Sequence, residues 1–421
     1  MVAKPAESMN EPSSESTPGA TSRALSGKQK LIRSLILYFL VTVCAAAAGA
    51  IVGSFVVALA SEKGPGYCDF IAYWAAGHQL AHQANPYDGA ALLALEQSAG
   101  MPSRFGVLYT RNPPWVLPLI YPLGFLSARI AFFAWNLMLV LSIWGSVRLL
   151  LIVYGRPATQ RVLLGYFFGP ALLCLITGQL SLFALLGLAL FLWLHRTRPF
   201  MAGASLWLCA LKPHLFIAYF LVLLAWIVVT RSYLILLGTT VALAASCAAA
   251  YWIDPHAWTQ YALMVQISNF KIDIIPCIGF LLRYWIKGHA IWLQYVLTAL
   301  GSIWALAYYW KRRAEWDWRQ HGNLVLLVSL LTAPYIWIFD QAIALPALLE
   351  GIFRAPSRNW LAGLALMSAL IELAHYSGHW SAAAPYYLTL WAAPAWLVWY
   401  LLAKSAARKL NTAAESRSSC E

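Results

Sequence analysis

"WVLPLIYPLGFLSARIAFFAWNLMLVLSIWGSVRLLLIV", residues 115–153, holds only Arg129 and Arg148 as charges. A helix crossing a bilayer needs ~20 apolar residues, and this run is longer than that. Further apolar stretches lie at 31–60, 162–177, 180–195, 199–212, 214–230, 232–252, 290–310, 322–338, 341–353, 359–376 and 385–403. Composition agrees, because 61% of the 421 residues are hydrophobic and only 11% charged, against about 25% charged in soluble domains. The expected fold is therefore all-α: a polytopic integral membrane protein of about twelve crossings, within a range of about ten to thirteen. Runs too short to span straight must be tilted inward, shielded by neighbours or only partly inserted.

Lysine and arginine positions set the topology, since short cytoplasmic loops carry them. Arg23, Lys28, Lys30 and Arg33 precede the first span. Arg156 and Arg161, Arg196 and Arg198, Arg231, the run "KRRAEWDWRQ" at 311–320, Arg354 and Arg358, and Lys404, Arg408 and Lys409 then mark every second junction. Both termini are expected in the cytoplasm. Residues 1–27, rich in Ser, Glu, Pro and Ala, read as a disordered tail; 28–403 form the membrane domain and 404–421 a second tail. The net charge of +13 follows from this pattern, and no face collects enough of it for nucleic acid.

The opposite junctions contain two long outer loops, 61–114 and 253–289, and the turns at Gly178-Gln179, Lys212-Pro213-His214, Phe339-Asp340 and His375 to Pro385. The unusual polar residues thus gather on one face. In the first loop, Ile71, Trp74, Ala75, His78 and Leu80, then Leu92, Leu93, Leu95 and Glu96, predict two short amphipathic helices broken at 85–88 and lying in the interface. The second loop has the aromatic content of a headgroup-level segment, including Trp258, Tyr261, Phe270, Tyr284 and Trp285.

Only 16 carboxylates are present, several of them in the tails, so each one near the membrane needs a reason. Asp69, beside Phe70, Tyr73 and Trp74, has three readings: a general base toward an attacking hydroxyl, one half of an ion pair that fixes the loop, or an N-cap for the helix that follows. Asp340 sits in the apolar "TAPYIWIFDQAIALPALL" and requires a polar cavity or a partner. Asp88 in "NPYDG" has a plain turn explanation. Lys212 and His214 lie on the outer side against the charge rule, which suggests an anion nearby. A lipid phosphate suits that depth, although snorkelling to ordinary headgroups would also explain a lysine there. Arg104, Arg111, Lys271 and Arg283 are further outer cations. The Gln179 amide would bind sugar hydroxyls or satisfy freed backbone, while Trp74 and Trp115 are the indoles best placed to stack on a sugar.

Seven cysteines show no metal spacing, and His375 and His379 have no third ligand in view, so no metal or other cofactor is expected. Cys68 and Cys277, both on the outer side, could pair. Two functions fit these features, an enzyme acting on a lipid-linked sugar and a transporter or flippase of the same molecule. Transporters carry midplane sites between internal repeats; here the polar groups lie at one surface and no repeat is evident.

The segments "DFIAYWAAGHQLAHQANPYD", "LYTRNPPWVLPLIYPLGFLSARIAFFAWNL", "GQLSLFALLGLALFLWLHRTRPFMAGASLWLCALKPHLF" and "TAPYIWIFDQAIALP" occur in the order seen in family 87 glycosyltransferases, formerly a domain of unknown function. The chain resembles that family over about residues 67–346. The resemblance implies a member of the glycosyltransferase C superfamily that uses a polyprenyl-phosphate sugar, commonly mannose, on the outer face of a bacterial inner membrane. It places the family's catalytic carboxylate on Asp69, its Gly-Gln turn on Gly178 and Gln179, and its Lys-Pro element on Lys212 and Pro213. The reaction expected from these residues is transfer to a lipid or glycan acceptor with inversion, Asp69 taking the proton of the acceptor hydroxyl. Tyr73, Trp74, Gln179, Lys212, His214, Arg111, Arg283 and Asp340 are the expected substrate-binding residues. The sequence departs from the family at Tyr109-Thr-Arg-Asn-Pro113-Pro114, where an insertion brings Arg111 near the expected site. It departs again at Pro334-Tyr-Ile-Trp337-Ile-Phe-Asp340, where no histidine follows the tryptophan.

Overall fold

The computed structural model describes residues 68–418 apart from 158, 269–274, 276, 356 and 379–388, together with isolated positions between 32 and 66. Most of the expected first span, the tail 1–27, Phe270, Lys271, the His375 side chain and His379 lie outside the described residues. Among the described residues the chain is helical and contains no strand.

The first outer loop supplies helices α1 (Phe70–Ala81) and α2 (Gly89–Ser98). The run at 115–153 is not one span. Its first part is a chain of short turns over Pro114–Val116, Leu117–Ile120 and Tyr121–Phe125, where Pro118 and Pro122 interrupt regular bonding. The long helix α3, Ala128–Tyr154, begins only after Ser127. That hydroxyl caps the Ile130 amide at 3.4 Å, and Gly155 ends the helix in the left-handed region. Then come α4 (Gly169–Thr177), α5 (Ser181–Leu194), α6 (Pro199–Cys209), α7 (Ile217–Thr230) and α8 (Tyr233–Ile253). The second outer loop contains α9 (Ala257–Ile267) and α10 (Ile278–Ile286). The chain continues with α11 (Trp292–Arg312), α12 (Asn323–Leu331), α13 (Leu345–Arg354), α14 (Arg358–Gly378) and α15 (Ala392–Ser418). This last helix runs through the expected boundary at 404 without a break.

Apolar residues surround the long helices on all sides, as lipid contact demands. On α3, Ala131, Phe132, Trp135, Leu139, Ser142 and Val147 face inward, while Ile130, Leu137, Leu141, Trp144 and Ile152 stay exposed. On α8 three of the four buried residues, Gly238, Ser246 and Ala250, are small and the fourth is Ile235, while Leu234, Leu237, Val241 and Trp252 are exposed. Small residues at helix contacts let helices approach where no hydrophobic effect drives them together.

Three described stretches, Ala128–Tyr154, Pro213–Thr230 and Tyr233–Ile253, are long and apolar enough to cross a membrane; Gln160–Tyr166 and Gly169–Thr177 together make a fourth that bends by 41°. By length and composition, at least three of the expected crossings are candidate membrane spans among the described residues. The 14 residues of α5 reach only about 21 Å at 1.5 Å per residue, less than the bilayer core. Almost every α5 side chain is buried, so this short run is shielded by its neighbours, as expected.

Helices α1 and α2 stand where the sequence predicts them, but α1 is not a surface helix with one wet face. Phe70 through Gly77, and Leu80, are all buried. The cause is a backbone contact, since a Cβ at Gly124 would lie 2.0 Å from the Gly77 carbonyl oxygen. Two facing glycines let α1 settle against Tyr121–Phe125, which brings the start of α1 into the helix core.

Candidate active site

Asp69 immediately precedes α1, yet its side chain makes no capping bond to that helix. Its Oδ2 instead accepts from the Gln179 amide nitrogen at 2.7 Å, which removes the N-cap reading. Asp88 does cap, accepting from the Ala90 and Ala91 amides, in line with its turn explanation.

Gln179 occupies the tight connection between α4 and α5. Gly178 turns the chain there at φ +73°, and a Cβ on it would meet Phe70 Cβ at 2.5 Å. The Trp135 indole donates to the Gly178 carbonyl at 2.7 Å, and Gln179 N bonds Cys174 O at 3.0 Å. So held, the Gln179 side chain is a junction. Its Oε1 accepts from the Tyr73 hydroxyl at 3.0 Å and from Lys212 Nζ at 2.7 Å, while its Nε2 donates to Asp69. This amide orientation is the one that gives all three partners a bond, because two of them donate and the third accepts.

Lys212 lies in the α6–α7 connection, immediately before the short turn Pro213–Phe216, with its φ of -136° and ψ of 67° outside the helical region that a following proline disfavours. Its ammonium also donates to Asp340 Oδ1 at 2.6 Å and lies 5.2 Å from the Phe339 ring centroid. Asp340, in the 3-10 turn Ile338–Ala344, accepts in addition from the Ser181 hydroxyl at 2.6 Å and from the Trp337 amide at 2.9 Å. The anion that Lys212 called for and the partner that Asp340 called for are thus each other. Neither is solvated, with Lys212 6% and Asp340 0% exposed. Attraction between such buried ions offsets their desolvation only when the remaining bonds are also made, and here Ser181, Gln179 and the Trp337 amide make them.

Asp69, Gln179, Lys212 and Asp340 therefore form one hydrogen-bonded chain, and its members differ in access. Asp69 is part-exposed, whereas the other three are buried. Burial raises the Asp69 pKa above the ordinary carboxylate value; Gln179 and Lys212 pull it back down, and Asp340 pushes it up again. A carboxylate so placed is a better proton acceptor than a free one once it has ionised.

The remaining expected residues divide. His214, next to Lys212, has a buried Nε2 without a hydrogen-bond partner among the described residues, and its ring meets Tyr335 edge-on at 5.3 Å. Arg111, Asp69 and Asp340 all lie within electrostatic reach of the Tyr335 hydroxyl. Arg283 stands further off on α10, 5.0 Å from the Phe280 ring and near Cys277, which bonds the Pro334 carbonyl. Trp74 points elsewhere, since its indole donates to Leu126 O at 3.0 Å and its ring rests beside His78. Trp115 is likewise engaged, by Ala210 O. Cys68 and Cys277 are both free thiols.

Sequence reasoning missed Ser181 and Tyr335. Ser181 is an ordinary residue two positions from Gln179, and only the fold turns its hydroxyl toward Asp340. Tyr335 carried a usable signal, because it lies within the "PYIW" element.

The fold and this chain of polar groups describe a membrane protein with a part-buried residue, Asp69, whose carboxylate is linked through Gln179 to a buried lysine–aspartate pair. The model of glycosyltransferase family 87 matches residues 109–334, more than half of the chain, and the protein belongs to that family. It is a membrane glycosyltransferase, which uses a sugar donor and an acceptor. The match includes Gln179, Lys212 and His214 and leaves Asp69 and Asp340 outside its bounds; bonding geometry ties those two to the same site. No curated protein and no solved structure matched the chain.

Proposed function

We propose that the protein transfers a sugar, mannose by the family resemblance, from a polyprenyl-phosphate donor to a hydroxyl of a lipid or glycan acceptor at the outer face of the inner membrane. Asp69 acts as general base. The acceptor oxygen forms a bond to the anomeric carbon as the bond from that carbon to the phosphate oxygen breaks. The acceptor's proton passes to Asp69, and the electron pair of the broken bond stays on polyprenyl phosphate. Attack opposite the leaving group inverts the anomeric centre. The observation that carries the reading is the position of Asp69 at the end of a hydrogen-bonded chain of polar groups, the one member of that chain whose residue is not fully buried.

Burial divides the other roles. Asp340 is a positioning residue, which fixes Lys212 through a bond that leaves the ammonium also on Gln179. Arg111 and His214, both part-exposed, are assigned to the donor phosphate and the sugar. The distribution of basic residues supports the orientation, with both termini in the cytoplasm. A prenyl chain resting in hydrocarbon fits the exposed indoles Trp252 and Trp285, which belong to the end of α8 and to α10 in the second outer loop.

The test is transfer of labelled mannose from polyprenyl-phosphate mannose by purified protein in detergent. Asp69→Asn keeps the size of the side chain and a carbonyl oxygen toward Gln179, so folding should survive while transfer is lost. Undiminished turnover in Asp69→Asn would remove that residue from the role of base.

A further inference from the structure

At the other end of the molecule a cavity of about 280 Å³ is lined by Arg312, Glu315, Gln320, His321, Arg354, Lys404 and Arg408. Five elements converge on it: the end of α11, the 3-10 turn Arg313–Glu315, the π-helical turn Trp318–Gly322, the end of α13, and α15, on which Lys404 and Arg408 share a face at four-residue spacing. It is distinct from the Asp69 chain. Helix α13 starts just after the turn that carries Asp340 and ends at Arg354, ten residues later, or about 15 Å at 1.5 Å per residue.

Charge in the cavity is unbalanced. Arg312, Arg354, Lys404 and Arg408 face two carboxylates, and both are already engaged. Glu350, beneath the cavity, accepts from Asn323 at 2.8 Å and Tyr400 at 2.7 Å on one oxygen and pairs with Arg354 at 2.8 Å through the other. Lys404 reaches Glu350 only at 4.0 Å and donates instead to Gln320 O and the Tyr400 hydroxyl. Glu315 meets Arg312 at 4.0 Å with both side chains largely in solvent, where such a pair contributes little. Burial lowers the Lys404 pKa, and Arg354 and Arg408 lower it further against the opposing pull of Glu350. A concave site with surplus guanidinium and ammonium groups matches the tetrahedral, multiply accepting oxygens of a phosphate.

We propose that this cavity is a phosphate-binding site, occupied either by the headgroup of an anionic phospholipid or by a soluble phosphate compound. All its cations lie at helix ends and junctions that positive-inside topology assigns to the cytoplasm, where anionic headgroups or soluble phosphates would both reach them. The proposal is independent of the role given to Asp69.

The test compares the full chain with Arg312→Gln/Arg408→Gln, two exposed positions whose loss leaves the Glu350 contacts intact. Phosphatidylglycerol retention is measured by native mass spectrometry against a phosphatidylcholine control, and inorganic pyrophosphate binding by thermal shift in lipid-free detergent. Each arginine near a headgroup is worth about fivefold, so the double variant should bind its probe about 25-fold more weakly, and Arg408→Gln alone about fivefold. Phosphatidylglycerol retention that falls in the variants, with pyrophosphate inert, identifies a lipid headgroup; a pyrophosphate shift that falls in the variants identifies a soluble ligand. Wild type that prefers neither probe over control, or variants that bind both like wild type, would overturn the site.

Discussion

Replacing Gln179 by Leu isolates the link between Asp69 and the rest of the chain. The substitution removes the 2.7 Å bond from the amide nitrogen to Asp69 and, on the other end of the amide, the bonds from Tyr73 and Lys212. Lys212 keeps its bond to Asp340, so no buried charge is left unpaired. A hydrogen bond to a charged group contributes about 1.5–3 kcal/mol, equivalent to about 1–2 pKa units. The amide lowers the Asp69 pKa, so its loss moves that pKa upward, in addition to the rise that burial already causes. A general base works only when ionised, so the acid limb of the pH profile of kcat/KM should move up by about 1–2 units. At a pH below the wild-type limb the variant should be slower by about 10- to 100-fold, and much of the rate should return on the alkaline side. Tyr73→Phe is the control, because it removes a bond to the amide oxygen and leaves the bond to Asp69. A Gln179→Leu profile that is lower at every pH with its acid limb unmoved would refute the linkage, for the amide would then hold structure without tuning the base.

Lys212→Met should destabilise the protein by about 3–5 kcal/mol, because Asp340 is left as a buried charge without its cation; adding Asp340→Asn should recover most of the melting temperature in detergent but not transfer. Gly178→Ala forces a side chain into the left-handed region and against Phe70, a cost of about 1–3 kcal/mol that should show as a lower melting temperature with the pH profile unchanged. Glu96, in α2, is buried with its pKa raised to about 7 by that burial, despite the bond from the Leu108 amide. Its contact with the 99–108 segment is then fully favourable below its unfolded value and weakens as pH rises through about 7. Hydrogen-exchange protection in that segment, after division by the intrinsic base-catalysed rate, should fall over this window in wild type and stay flat in Glu96→Gln.

How far the site was legible depends on what fixes each residue. The helices at 70–81 and 89–98 follow from side-chain pattern and the break at Asn85-Pro86, so they could be read directly. The gathering of Asp69, Gln179, Lys212 and Asp340 could also be read, because basic residues at alternate junctions assign the loops to sides and each of these four falls on the same side. Pairing within that group was not legible. Lys212 demanded an anion and Asp340 a partner, yet whether they satisfy each other depends on how α6, α5 and the 338–344 turn pack, which no local spacing encodes. The direction of Trp74 was lost for a related reason. A helix of Phe, Ile, Tyr, Trp and Leu reads as lying in an interface, and only the facing glycines 77 and 124 reveal that α1 is enclosed, with its indole turned to Leu126.

The same pairing constrains how charge moves in the proposed reaction. Before transfer, one negative charge sits on Asp69 and one on the donor's phosphodiester. Afterwards Asp69 is neutral and the polyprenyl phosphate carries both. The site's total charge is unchanged, and what the enzyme must favour is a shift of negative charge from the carboxylate toward the phosphate. Lys212 is poorly suited to do this by direct capture, because reaching a phosphate would strip Asp340 of its cation in a place without water. It is well suited to hold Gln179, since its ammonium fixes the amide oxygen and so keeps the amide nitrogen on Asp69. The charge that appears on the leaving group is left to the accessible side, where Arg111 lies within reach of Tyr335. Arg111→Gln should therefore lower kcat with little change in the acid limb, the opposite of Gln179→Leu. If both substitutions moved the limb equally, the division between a cation for the base and a cation for the phosphate would be wrong.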